Sequence, residues 1–267
     1  MTFLHRRTVL RAAAGGALAG AATVGCGRHE GSPRPTEAAR VASPSAQVTG
    51  PSVRPKASPS PAPLPAGLPA QIEHGSRTGK AVALTFHGQG DPKIATGLLG
   101  EAERAGAKVT VLAVGQWLDE QPQLARRVLD GGHELGNHTM RHLDISAMPE
   151  SAAYAEITQC ADRLRRLTGG IGRWFRPSRA RLATDRVAAL ARRAGYPHVL
   201  SYDVDSLDFT DPGAEAVRRT VLDAVRPGSV VSLHFGHAGT VAALPAILDG
   251  LHRRGLRAVT TTELLTR

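Results

Sequence analysis

Two histidines four residues apart, His138 and His142 in GHELGNHTMRH, are the sharpest chemical signal in the chain. On a helical turn that spacing puts both imidazoles on one side, where they suit a single zinc-like ion. Thr139 is then placed to cap the turn and Asn137 to orient an imidazole, while His133 reads as structural. A hydrolytic metal site also needs a third protein ligand and an open position for water and substrate. The candidates are polar residues that end other apolar runs. His87 follows AVALTF and precedes two glycines, Gly88 and Gly90. Arg176 follows Trp174 and Phe175, the acidic group Asp203, Asp205 and Asp208 follows HVLSY, and His234 ends VVSLH.

These residues must be positioned by strands. Strands are expected over 81–86, 108–114, 133–136, 174–176, 198–203, 229–235 and 257–260, and helices over 94–105, 121–130, 150–167, 184–194, 213–225 and 241–254. Gly106, Gly131, Gly169, Gly195 and Gly255 stand where those helices would close. Alternation at this spacing points to a parallel α/β sheet, and about seven units point to a closed barrel. Barrels of this kind carry their chemistry at the carboxyl ends of the strands, which is where the polar residues fall. Trp117 and Leu118 are expected to pack a helix on the sheet, Cys160 to be buried as a small apolar group, Arg163, Arg165 and Arg166 to form a solvated helix face, and His237 to be a solvated loop residue, with a substrate contact as the alternative.

The 267 residues carry a formal charge of +10 with a pI of about 10.7, but aromatics are only 4% and do not interleave with the basic residues. That excludes the usual nucleic-acid footprint and leaves an anionic wall or membrane surface as the partner of the charge. Residues 1–26 read as an export signal: Arg6, Arg7 and Arg11 precede a weakly apolar stretch too short to span a bilayer. The Arg6-Arg7 pair resembles a twin-arginine signal, and TVGC resembles a lipobox that would put a lipid anchor on Cys26. Residues 27–77, rich in Pro, Ser and Ala, are expected to be a disordered linker, and 78–267 the folded domain, a monomer. With two cysteines so differently placed, no disulfide framework is implied.

Five blocks in order resemble the polysaccharide deacetylases with a NodB-homology domain, carbohydrate esterase family 4. LTFHGQGDP stands where the family has T-F-D-D-G-P, GHELGNHTMRH matches its H-[ST]-x-x-H, and WFRPS resembles F-R-P-P-[YF]-G. DVDSLDF resembles D-x-x-D-W, and VVSLHFGHAGTVAALPAIL the final histidine block. The resemblance implies a distorted (β/α)7-8 barrel and metal-dependent removal of acetyl groups from an N-acetylated cell-envelope polysaccharide such as peptidoglycan or chitin. It implies His138 and His142 as ligands of a divalent metal, zinc above others. His234 would be the general acid, Asp208 its orienting partner, and Arg176 a charge near the base.

The first block departs from the family. His87 stands in place of the base and Gly88 in place of the third ligand. Three outcomes are open. His87 is the third ligand, with Asp91 as base; or His87 is the base, with water or Asp91 completing the metal; or the domain is a glycan-binding lipoprotein without catalysis. Arg179 and Ala180 also replace an aromatic and a glycine in a loop that offers the family an oxyanion N–H, and Phe209 replaces a pocket tryptophan.

Overall fold

The structure is a computed structural model and describes residues 63–266. The expected export segment, Cys26 and most of the expected linker lie outside the described residues. The strands are β1 (Gln71–Ile72), β2 (Ala81–Gly88), β3 (Thr110–Ala113), β4 (Glu134–Asn137), β5 (Val199–Leu200), β6 (Val204–Asp205), β7 (Val230–His234) and β8 (Arg257–Val259). The helices are α1 (Pro92–Arg104), α2 (Gly115–Glu120), α3 (Gln123–Asp130), α4 (Glu150–Thr168), α5 (Asp185–Arg193), α6 (Ala214–Ala224), α7 (Ala238–Arg253) and α8 (Thr261–Thr266).

Every strand ladder is parallel, as strands separated by helices require. The main sheet runs β4-β3-β2-β7-β6, with β8 beside the start of β2, while β1 and β5 pair separately. Single bridges Asn137–Phe175 and Phe175–Val199 carry the sheet from β4 to β5, and the Asp203 N–H donates to the Val230 carbonyl at 3.2 Å. The strands therefore come round into the expected distorted barrel.

Two expected strands shrink. Residues 174–176 make one rung with Asn137, and the next residue, Pro177, has no N–H to continue it. Of 198–203 only Val199–Leu200 is regular strand. Part of the segment expected to be linker packs on the domain instead. Residues 71 and 72 pair with β5, His74 bridges to Ser229, and Arg77 forms an ion pair of 2.7 Å with Asp203. Residues 71–77 thus belong to the folded domain.

The alternation of β2 sets out the site. Val82, Leu84 and Phe86 are buried in the outer core between sheet and helices, where each contributes roughly 1.5–3 kcal/mol. Ala81 and Ala83 face inward with Ile72, Leu112, Trp174 and Val230. The same parity continues to Thr85 and then His87. On β7, Val231 and Leu233 pack outward, so Val230, Ser232 and His234 face inward. The register places Thr85 beside Ser232 and His87 beside His234. Polar side chains thus fill the carboxyl end of a barrel whose lower layers are apolar.

Candidate metal centre

Three imidazoles converge at that end. His87, His138 and His142 each offer a nitrogen within 4.8 Å of the others. The ring centroids of His87 and His138 are 4.2 Å apart, and those of His138 and His142 4.8 Å. His138 follows directly from β4, and its Nδ1 lies 3.0 Å from the Arg176 carbonyl. A carbonyl only accepts, so Nδ1 carries the proton and Nε2 holds a lone pair. That Nε2 is buried without a partner, and so is His87 Nδ1. The other nitrogen of His87 lies 3.3 Å from the Ser232 hydroxyl; with Nε2 as donor, Nδ1 is free to ligate. Two orphaned buried lone pairs beside a third imidazole fit a divalent metal with nitrogen donors. No carboxylate belongs to the cluster.

Electrostatics favours neutral, ligating imidazoles. Burial pushes all three pKa values down, helped by neighbouring positive charge: His138, His234, Arg176 and His142 at His87, His142 and Arg176 at His138, and Arg179 at His142. Folded-state values below the unfolded one mean that the unfolded chain binds more protons. Without metal, stability is therefore expected to be fully present above about pH 6.5 and to fall as the pH drops below it. Thermal unfolding of the metal-free protein at pH 7.5 and pH 5 checks this. An equal melting temperature at both would contradict it.

The helical turn expected over 138–142 does not form. The segment is a loop in which Thr139 and His142 adopt left-handed φ of 67° and 56°. The Thr139 hydroxyl accepts the His142 N–H at 3.2 Å. Asn137 does not orient an imidazole. Its amide donates to the Ile157 carbonyl and the Tyr196 hydroxyl, and its oxygen accepts the Thr139 N–H. Arg179, Leu207 and Asp211 are the other non-glycine residues with positive φ among those described, and all five lie in loops. Such conformations cost about 1–3 kcal/mol each and persist where the surroundings enforce them.

Beside the cluster stands an oriented dyad. His234 Nδ1 is 2.7 Å from Asp208 Oδ1, and its ring centroid is 4.3 Å from that of His87. Asp208 Oδ2 accepts the His234 N–H and the Thr240 hydroxyl. Burial raises the Asp208 pKa, but these hydrogen bonds outweigh it and keep the carboxyl below its usual value. An ionised Asp208 accepts from Nδ1 and leaves the His234 Nε2 lone pair free.

The dyad and cluster open into a cleft of about 400 Å³ lined by His87, His142, Arg179, Tyr202, Asp205 and His234 among others. Of the exposed large hydrophobic residues among those described, Phe209 lines the cleft, Leu143 and Leu182 each follow a cleft residue, and Leu207 donates its N–H to the cleft residue Asp205. A larger groove of about 620 Å³ lies by the starts of β3 and β8 and holds no converging donor set.

Asp91 is not brought to the site. Its carboxylate accepts the Lys93 N–H at 2.8 Å and caps α1, and it does not line the cleft. Arg176 is fully buried, and burial lowers its pKa to about 10, so it stays charged at neutral pH. It donates to the Leu200 and Ser201 carbonyls and has no carboxylate partner, while its own carbonyl holds His138. Asp203 is structural, bound to Arg77, Ser229 and the Val230 N–H. Cys160 is buried as expected. His237 is more than a solvated loop residue: it lines the cleft, paired to Asp211 at 2.8 Å. Ser232 went unnoticed in the sequence; inward alternation from His234 would have found it.

Gly88 has the parity of Phe86 and so faces the outer core. A Cβ there would meet Val111 Cγ1 at 2.8 Å and Ala113 Cα at 3.1 Å. Gly88→Asp is therefore expected to cost about 1–3 kcal/mol by overpacking, without supplying a ligand. Thermal unfolding and metal titration check this, and Val111→Ala in the same chain should recover part of the loss. A gain in metal affinity from Gly88→Asp alone would contradict the outward parity.

A sequence profile of the Polysaccharide deacetylase family matches residues 74–199. A peptidoglycan-N-acetylglucosamine deacetylase of Bacillus cereus is 33% identical over 196 residues, covering 70% of this chain and 88% of that protein. A chitooligosaccharide deacetylase of Bradyrhizobium is 29% identical over 199 residues, covering 66% and 86%. A family 4 carbohydrate esterase pseudoenzyme from Bacillus anthracis shares the fold with a TM-score of 0.70 at 24% identity, over 74% of this chain and 69% of that one.

Proposed function

The chain belongs to the polysaccharide deacetylase family, and from that premise we propose that it removes acetyl groups from an N-acetylated cell-envelope glycan. The reading rests on one observation: a three-histidine donor set, two of its members buried, lies against an oriented His–Asp dyad at the end of a cleft. His87, His138 and His142 would hold the metal, with His87, at the family's base position, serving as third ligand in place of the aspartate that Gly88 replaces. Three neutral imidazoles suit zinc. When bound, the metal supplies Lewis-acid polarisation of the acetyl carbonyl and lowers the pKa of water.

The chain's own residues do the rest. The cleft takes the sugar, with Phe209 exposing apolar surface in its lining. Arg176 positions His138 through its carbonyl, and Ser232 positions His87. His234, held by Asp208, delivers a proton to the departing nitrogen. At the other end of the chain, residues 1–26 would export the protein and anchor it by lipid on Cys26, with the following linker reaching toward the wall. The charge of +10 favours anionic wall polymers. No helix of the described residues is long and apolar enough to cross a membrane.

Acetate release from peptidoglycan fragments and chitooligosaccharides tests the reading. Release is expected on at least one, stopped by a chelator and recovered with zinc. Retention of the saccharides without acetate release would instead favour a glycan-binding lipoprotein on this fold, the reading that the missing carboxylates support.

A further inference from the structure

Hydrolysis needs a proton acceptor for the attacking water as well as a donor for the leaving nitrogen. With His87 as a ligand, the end of β2 supplies no base, and Asp91 is occupied at the N-terminus of α1. Among the cleft-lining groups of the described residues, Arg179 and Arg181 are cations, and burial, then Asp205, raises the Tyr202 pKa. Asp205 accepts the Leu207 N–H at 3.1 Å and faces the Tyr202 hydroxyl. His237 is paired to Asp211, with its ring 5.9 Å from His234 and no ring contact to the cluster. His234 alone combines a lone pair facing the cleft with packing against the cluster, 4.3 Å from His87 between centroids.

Resting on the deacetylase reading, we propose that His234 performs both proton transfers. As water oxygen bonds to the acetyl carbonyl carbon, one water proton passes to His234 Nε2 and the carbonyl π pair moves onto oxygen. Asp208, ionised and held by the Thr240 hydroxyl and the His234 N–H, stabilises the imidazolium and keeps its orientation. The pair then returns, the C–N bond breaks, and its electrons stay on nitrogen, which takes the proton from Nε2. The products are acetic acid and the free amine, and His234 ends neutral. A single imidazole thus takes over the work that the family's pattern divides between a carboxylate and a histidine.

Leaving-group dependence separates the two assignments. An amide nitrogen must be protonated to leave, whereas a nitrophenolate leaves unaided. The full chain and its His234→Gln variant are assayed on an N-acetylated oligosaccharide and on 4-nitrophenyl acetate, with the His138→Ala rate subtracted. Zinc affinity measured in parallel shows that the centre is intact. The proposal predicts a loss of about 100-fold or more on both substrates, as expected for removal of a general base. A loss on the amide with a near-normal rate on the ester overturns it, because His234 would then be an acid only. Should glutamine at 234 disturb the fold, imidazole added to His234→Ala is expected to restore both reactions, and restoration of the amide reaction alone overturns the proposal. Failure of the unaltered chain to release acetate from either substrate fails the deacetylase reading and this proposal with it.

Discussion

Replacement of His87 by alanine is expected to lower zinc affinity by more than about 100-fold while the barrel stays folded. Loss of a partner that merely orients a ligand costs 10–100-fold, and loss of a donor atom should exceed that. The residue sits at the carboxyl end of β2, above an apolar layer that does not depend on it; Thr85 below keeps its bond to the Val231 carbonyl, and only the Ser232 hydroxyl loses a partner. Calorimetric titration with zinc reads the effect directly, beside His138→Ala and His142→Ala, which should be comparable. An affinity unchanged by His87→Ala would return this residue to the role of base and leave the metal on two histidines.

The second large effect is expected at Asp208. Asparagine there can present an N–H toward His234 Nδ1, which moves the imidazole proton to Nε2 and removes the lone pair that faces the cleft. By analogy with other His–carboxylate dyads, kcat should fall by roughly 1,000–10,000-fold with little change in KM, since the cleft walls are untouched. Alanine would add a stability cost, because the His234 N–H and the Thr240 hydroxyl would lose a buried acceptor, at about 1–3 kcal/mol each. Steady-state kinetics and thermal unfolding of both variants distinguish the two effects. Asparagine at 208 with near-normal kcat would mean that the dyad only supports structure.

Alternation in the sequence carried the parallel barrel, and the ordered motif blocks carried the family, because both depend on local spacing. The apolar runs that end at His87 and His234 were legible too, but it is the strand register that sets the two histidines side by side. What the sequence hid is set by distant backbone. A spacing of four suggested a helical turn for His138 and His142, yet the two are joined by a loop with left-handed residues. The groups that hold the imidazoles are the Arg176 carbonyl, 38 positions from His138, and the Ser232 hydroxyl, 145 from His87. No local pattern announces either. Asp91 looked available because it is acidic and near His87, but an aspartate just before Pro92 has the favoured place of a helix cap, and it takes that place.

The central claim is that His87 completes a three-histidine centre. Crystals of the zinc-loaded protein, with an anomalous difference map at the zinc edge, test it most directly. The account predicts one strong peak about 2.0–2.1 Å from a nitrogen of each of His87, His138 and His142. A peak bound to His138 and His142 with His87 turned away, or no peak at all, would contradict it.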